Sequence, residues 1–168
     1  MKTALHLAIS ADGFIAKADG DSDWVSPIDG DLFISRAKAA GCLVVGKKTF
    51  DQYHGSLYPI VGVLNIVLTH DTVAEQADTD VVFARSPAEA IEIAERNGYS
   101  NLLVAGGAKT SRAFLDAGLV NEIFLSVHPL RLGAGMKPFE DLSKDTRYKL
   151  ARTKELGGGL IEEQYVMV

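Results

Sequence analysis

The feature that most constrains this chain is the alternation of apolar runs with helical stripes, sustained from the first residues to about residue 128. "TALHLAIS" (3–10), "CLVVG" (42–46), "LNIVLT" (64–69), "DVVFA" (80–84), "NLLVA" (101–105) and "EIFLSVH" (122–128) read as strands. Several are continuous apolar runs, as in strands covered on both faces. Between them lie helices with legible ends. In "SPAE", Ser86 is placed as N-cap, Pro87 at the first helical position and Glu89 three residues after the cap, with Gly98 past the last turn. Ala90, Ile91 and Ala94 give that helix its apolar stripe. A helix from about Asp31 turns Leu32, Phe33, Ala37 and Ala40 inward and stops at Gly41, and a third runs from about Lys109 to Ala117. Repeated strand–helix–strand predicts a three-layer α/β fold, a mostly parallel sheet with helices on both faces. The tail breaks the alternation: "RYKLARTKEL", "GGG" (157–159) and "LIEEQYVMV" predict an antiparallel C-terminal hairpin at the sheet edge.

At 168 residues and 47% hydrophobic, the chain reads as one domain over 1–168. A net charge of −5 offers no broad positive field, which argues against nucleic acid and anionic membrane surfaces and leaves any anionic ligand to be held locally. The lone Cys42 lies in an apolar run and reads as a buried structural thiol. His6, His54, His70 and His128 lie far apart and show no ligand spacing, so no metal is expected. The amino terminus reaches a charge and a glycine too early for a signal peptide or membrane span, which makes the cytoplasm the expected location.

Two strand ends carry the same grammar, "VVGKKTF" (44–50) and "VAGGAKTSRAFL" (104–115). Neither is a standard nucleotide motif. Lys48 stands where GxxxxGK[ST] requires Ser or Thr, and "GGAKTS" lacks the glycine offsets of GxGxxG. What they share is a helix amino terminus with free backbone N–H groups and a Thr and Lys beside it. Two anion sites at neighbouring strand ends suit one ligand with two separated phosphate groups. On sequence alone, either glycine stretch also reads as nothing more than a tight turn.

In order and spacing, these segments resemble the dihydrofolate reductase superfamily. Within it, they are most similar to the C-terminal reductase domain of the bifunctional riboflavin-biosynthesis deaminase-reductases. "LAISADGFIA" resembles the family's first strand and loop, "DLFISRAKAAGCLVVGKKTF" its helix, strand and phosphate turn, and "LLVAGGAKTSRAFLDAGLVNEIFLSVHPLRLGAG" its most specific stretch. The resemblance implies one NADPH lying across both turns. Gly46, Lys47, Lys48 and Thr49 would hold the 2′-phosphate region with Leu68, Thr69 and Arg85. Gly106, Gly107, Ala108, Lys109 and Thr110 would cradle the pyrophosphate, with a cis Gly106–Gly107 bond. Ala8 and the loop carrying Gly13 and Ile15 would border the nicotinamide.

On the substrate side, Trp24 and Asp29 reproduce the spacing of the tryptophan and pterin-binding acid of dihydrofolate reductases, and Ser126 matches a hydroxyl position beside that acid. A carboxyl that orients a heterocycle and favours its protonated form aids reduction of a C=N bond. Asp29 or Asp31 is equally suited to capping the helix that follows, and the sequence leaves both readings open. Two features depart from the folate enzymes: Val63 stands where they carry an arginine, and Ser111 replaces a tyrosine near the nicotinamide. The resemblance implies an NADPH-dependent reductase of a small heterocyclic substrate, akin to the aminouracil reductase of riboflavin synthesis. A dihydrofolate reductase and a nucleotide-binding module without turnover are the alternatives. Reductase domains of this kind commonly pair, so a homodimer is expected, with Tyr165, Val166 and Met167 as its apolar edge.

Overall fold

The computed structural model describes residues 1–71 and 79–168. Its elements run β1 (Lys2–Ser10), α1 (Pro27–Ala40), β2 (Cys42–Gly46), α2 (Lys47–Gln52), β3 (Leu64–Leu68), β4 (Val81–Ala84), α3 (Pro87–Arg96), β5 (Asn101–Val104), α4 (Ala108–Asp116), β6 (Glu122–His128), β7 (Tyr148–Gly157) and β8 (Leu160–Met167). The strands form one sheet in the order β4-β3-β2-β5-β1-β6-β8-β7. Pairing is parallel from β4 through to β6 and antiparallel where β6 meets β8 and β8 meets β7. This is the α/β architecture that the alternation predicts.

Alternation along the central strands divides the core into two. Leu5, Leu7, Val44, Ile66, Leu102 and Val104 pack on one face with Ala90, Ile93 and Ala94 of α3 and Phe114 and Leu115 of α4. Leu43, Val45, Val67 and Leu103 pack on the other with Phe33 and Ala37 of α1 and Phe50 of α2. A strand apolar at every position therefore feeds both layers. Ile93, rather than Ile91, completes the buried stripe of α3. Cys42 is buried, donates to the Asn101 carbonyl at 3.1 Å and has its thiol pushed up to about 12 by burial, in keeping with a structural role.

The helix ends differ in kind. In α3, Ser86 Oγ accepts from the Glu89 N–H at 3.1 Å, while Glu89 reaches back to the Arg85 N–H at 2.7 Å. The first helix starts four residues earlier than expected, at Pro27, with Ser26 as its N-cap accepting from the Ile28 N–H; Gly41, at φ 80°, closes it. In α2 and α4 the N-cap is a glycine, Gly46 and Gly107, and no side chain caps either helix.

One expectation about the tail is corrected. The hairpin forms, but β8 lies between β6 and β7, so Tyr165, Val166 and Met167 belong to an interior strand. The edge is β7, exposed along most of its length, with Leu150 at 53%. No described helix is long and apolar enough to cross a membrane.

Candidate active site

The two glycine turns stand side by side because β2 pairs with β5. They pack directly on each other. A Cβ on Gly46 would lie 2.6 Å from Thr110 Oγ1 of α4, and one on Gly107 would lie 2.9 Å from Thr49 Oγ1 of α2. The missing side chains therefore let two helix amino termini converge, with the Gly46 N–H reaching the Gly106 carbonyl at 3.5 Å. The Gly106–Gly107 bond is trans, contrary to the expectation; positive φ at both residues (96° and 78°) turns the chain instead, and glycine carries that without a Cβ clash. Both helices keep uncapped N–H groups, and Ser111 Oγ, buried in the first turn of α4, has no hydrogen-bond partner among the described residues. Ala108 is half-buried and Lys109 exposed. Lys47 is held by Asp51 at 2.5 Å, whereas Lys48 is exposed and has no ion pair among the described residues.

Register carries this row of strand ends further. Gly46 pairs with Leu68 and Leu68 with Ala84, which brings Thr69 and Arg85 to the neighbouring strand ends. They line a cavity of about 150 Å³ with Asp71, Phe83 and Glu89. Lys47 and Lys48 do not line it. Across the sheet, Ala8 of β1 lies opposite Ser126 of β6. The loop carrying Gly13 and Ile15 is fastened by Asp12, which accepts from Ser10 Oγ at 2.7 Å and from the N–H groups of Leu132 (3.1 Å) and Gly133 (2.7 Å). The Ser10 hydroxyl, followed by those backbone donors, lowers the Asp12 carboxyl to about 2.

The acid Asp29 sits in the first turn of α1 and is 2% exposed. It does not cap the helix, because Ser26 does, and Asp31 is exposed. Its Oδ1 lies 3.0 Å from His6 Nε2. Burial opposes its charge, but the His6 hydrogen bond and the Ser126 hydroxyl outweigh that and hold the carboxyl below its ordinary value. Ser126 is fully buried, and its Oγ makes no hydrogen bond of good geometry among the described residues. His128 accepts the Ser26 N–H at Nε2 (3.0 Å), so its Nδ1 carries the hydrogen and donates to the Ser126 carbonyl at 2.9 Å. Trp24 meets the His128 ring edge-on at 5.1 Å, and its buried Nε1 also lacks a hydrogen-bond partner among the described residues. Trp24, Asp29 and Ser126 are thus gathered around His128.

Two residues here escaped the sequence reading, His6 and His128, because distance along the chain hid their common place in the sheet. The parallel β1–β6 register puts both on the face that carries Ala8 and Ser126. The available signal was period two: polar residues at alternate positions of otherwise apolar strands, His6 and Ser10 in one, Ser126 and His128 in the other. Among the described residues no group of three or more His, Cys, Asp or Glu side chains could hold a metal ion.

A family model described as the RibD C-terminal domain matches residues 2–161. "Uncharacterized protein YwjB" of Bacillus subtilis is 29% identical over 163 residues, covering 93% of this chain and 92% of that protein. "Riboflavin biosynthesis protein RibD" of Mycobacterium tuberculosis is 30% identical over 152 residues, covering 80% of this chain and 44% of that protein, so this chain spans less than half of it. The solved structure of a diaminohydroxyphosphoribosylaminopyrimidine deaminase/5-amino-6-(5-phosphoribosylamino)uracil reductase from Thermotoga maritima matches with a TM-score of 0.75 at 19% identity, covering 99% of this chain and 56% of that one, a likeness of fold. With the family model matched over residues 2–161, the chain belongs to the RibD C-terminal domain family.

Proposed function

We propose that the protein is an NADPH-dependent reductase of a C=N bond in a small heterocyclic substrate, of the kind named for the Thermotoga relative, a phosphoribosylaminouracil. The observation that carries this reading is Asp29, a buried carboxyl held charged on a helix that another residue already caps. A buried charge is costly, and one without a capping role asks for a ligand. Trp24 Nε1 and Ser126 Oγ, both buried and without a hydrogen bond of good geometry among the described residues, support a polar ligand beside it.

The cofactor side fits a dinucleotide phosphate. Uncapped N–H groups at Gly107, Ala108 and Lys109, the orphaned Ser111 hydroxyl and the side-chain-free approach of Gly46, Gly106 and Gly107 suit a pyrophosphate. Lys48, Thr49, Thr69 and Arg85 supply cations and hydroxyls for a 2′-phosphate. When bound, NADPH supplies the hydride. The chain's own part is to orient the heterocycle against Asp29, whose negative charge favours protonation of the nitrogen of the C=N bond whose carbon accepts the hydride. Val63, at the place of the folate enzymes' arginine, is buried in the core and offers no charge to a glutamate tail.

Steady-state NADPH oxidation by the wild type and Asp29→Asn, with the phosphoribosylaminouracil and dihydrofolate side by side, tests the proposal. The aminouracil is expected to turn over, dihydrofolate to react poorly, and Asp29→Asn to lose about a hundredfold or more in rate. Full activity in Asp29→Asn would remove Asp29 from the mechanism. Efficient dihydrofolate turnover would make the protein a folate reductase, and no NADPH binding would leave neither reading standing.

A further inference from the structure

Behind Asp29 runs a chain of side chains drawn from three elements. His6 of β1 is 5% exposed, and its Nδ1 lies 2.6 Å from Arg36 Nη1. Arg36 Nη2 donates to Glu162 Oε2 of β8 at 2.9 Å, and Glu162 is itself 3% exposed. The guanidinium lies 3.7 Å above the Phe124 ring, so it is gripped on its face as well as at its edge. Arg152 of β7 stands 3.9 Å from the other Glu162 oxygen. Asp29, Phe33 and Arg36 are spaced at i, i+4 and i+7, one face of α1, and Phe33 meets the His6 ring edge-on at 5.5 Å.

Hydrogen-bond chemistry leaves one arrangement of protons. A guanidinium has donors only, so His6 Nδ1 must present its lone pair to Arg36. The ring hydrogen is then on Nε2, directed at Asp29 Oδ1. Among the described residues the second oxygen, Oδ2, makes no hydrogen bond of good geometry, and the Ser126 hydroxyl near the carboxyl adds to its stabilisation.

We propose that His6 and Arg36 are positioning residues for Asp29: Arg36, anchored by Glu162 and Phe124, fixes His6 as the Nε2–H tautomer, and that N–H immobilises Oδ1, leaving Oδ2 for an N–H of the ligand. The inference rests on the reading of Asp29 as the substrate-binding acid. It also narrows the ligand. The buried groups, Asp29 and Glu162 against Arg36, sum to one negative charge, with Arg152 at the half-open end; His6 and His128 are each held as single tautomers, and Ser126 is neutral. A heterocycle that donates N–H or carries a proton balances the site, and one that offers only acceptors at that edge leaves Oδ2 unpaired.

Nitrogen-15 NMR of the histidine rings in the wild-type protein tests the tautomer. His6 is expected to show the hydrogen on Nε2 and a pyridine-like Nδ1, and in Arg36→Met that preference is expected to relax. Carbon-13 titration of Asp29 tests the consequence. In the wild type and in His6→Gln, where the amide supplies an N–H to Asp29 and an oxygen to Arg36, the carboxyl should stay charged down to low pH. In His6→Leu, which supplies neither, its titration should move up to the ordinary carboxylate range or beyond. With NADPH and the phosphoribosylaminouracil, His6→Leu should lose at least tenfold in kcat at unchanged KM for NADPH, and His6→Gln should recover part of that loss. A wild-type His6 protonated on Nδ1, or an Asp29 that titrates alike in the wild type and His6→Leu, would overturn the inference. Should His6→Leu fail to fold, the wild-type tautomer and His6→Gln decide. Should no substrate turn over in the wild type, the proposed reaction fails while the NMR result still decides this one.

Discussion

A single methyl group at residue 46 tests whether the two glycine turns are built as one unit. Gly46 has φ −69° and ψ 143°, a conformation open to alanine, so Gly46→Ala adds no backbone strain. Its cost is a collision: the new Cβ meets Thr110 Oγ1 at 2.6 Å, where ordinary contact begins at 3.4 Å, so the turns must part by about 0.8 Å. Thr110 is 4% exposed and sits in the first turn of α4, where a β-branched side chain has few other rotamers. Overpacking of this kind costs about 1–3 kcal/mol. Urea denaturation of Gly46→Ala should show that loss, and calorimetric titration should show weaker NADPH binding, because α4 has moved off its partner turn. Removing the obstacle should restore both, so the double variant Gly46→Ala/Thr110→Ala is expected to be more stable than the sum of the single changes by about 1 kcal/mol or more. Stability of Gly46→Ala within 0.5 kcal/mol of the wild type, or a strictly additive double variant, would refute the reasoning.

Other consequences are as direct. Replacing Lys47 and Lys48 together by alanine should weaken NADPH by about 2 to 4 kcal/mol and leave NADH nearly unchanged, with most of the effect from Lys48 because Asp51 holds Lys47; equal loss for both cofactors in calorimetry would remove the 2′-phosphate from that turn. Asp12 titrates near 2 in the folded protein against an ordinary 3.8, so its stabilising effect is in force above 3.8 and is lost as pH falls towards 2. Thermal melts of the wild type and Asp12→Asn should therefore differ at neutral pH, draw together as pH falls below 3.8 and converge only at about pH 2 or below; a gap independent of pH would contradict this. The open β7 edge should pair with a second copy, giving light-scattering masses near twice 18.0 kDa and a shift to monomer in Leu150→Lys; an 18.0 kDa wild type at micromolar concentration would exclude the pairing.

The sheet was legible in the sequence because parallel strands buried on both faces leave continuous apolar runs, and β6 matches its predicted span, 122–128. The start of α1 was legible too, but unused: "SPID" repeats the grammar of "SPAE", and Ser26 caps α1 with Pro27 next, as Ser86 caps α3 with Pro87 next. Reading that repeat would have separated Asp29 from capping. The hairpin could be read, but not which of its strands meets β6, because local alternation carries no partner information. The same limit hid the His6–Arg36–Glu162 chain. Its members are 30 and 126 positions apart, and only the β1–β6–β8 register and the lie of α1 bring them together.

The place of β1 bears on how the chain matures on the ribosome. Of the eight strands it is the first to be synthesised, yet its two neighbours are β5 and β6, paired from Lys2 with Asn101 through to Ser10 with His128. Translation at about 5–20 residues per second puts the second of these out of reach for roughly 6–24 s after β1 emerges. For most of that interval, until β5 emerges, Leu5 and Leu7, both buried in the finished sheet, have no strand on either side to cover them. Local contacts can form the β2–β3–β4 half early, but the half that carries His6, Ala8 and Ser126 closes only when β6 arrives. A nascent chain therefore has no route to the Asp29 side of the site before β6 arrives, and the apolar first strand is the segment a chaperone would have to shield.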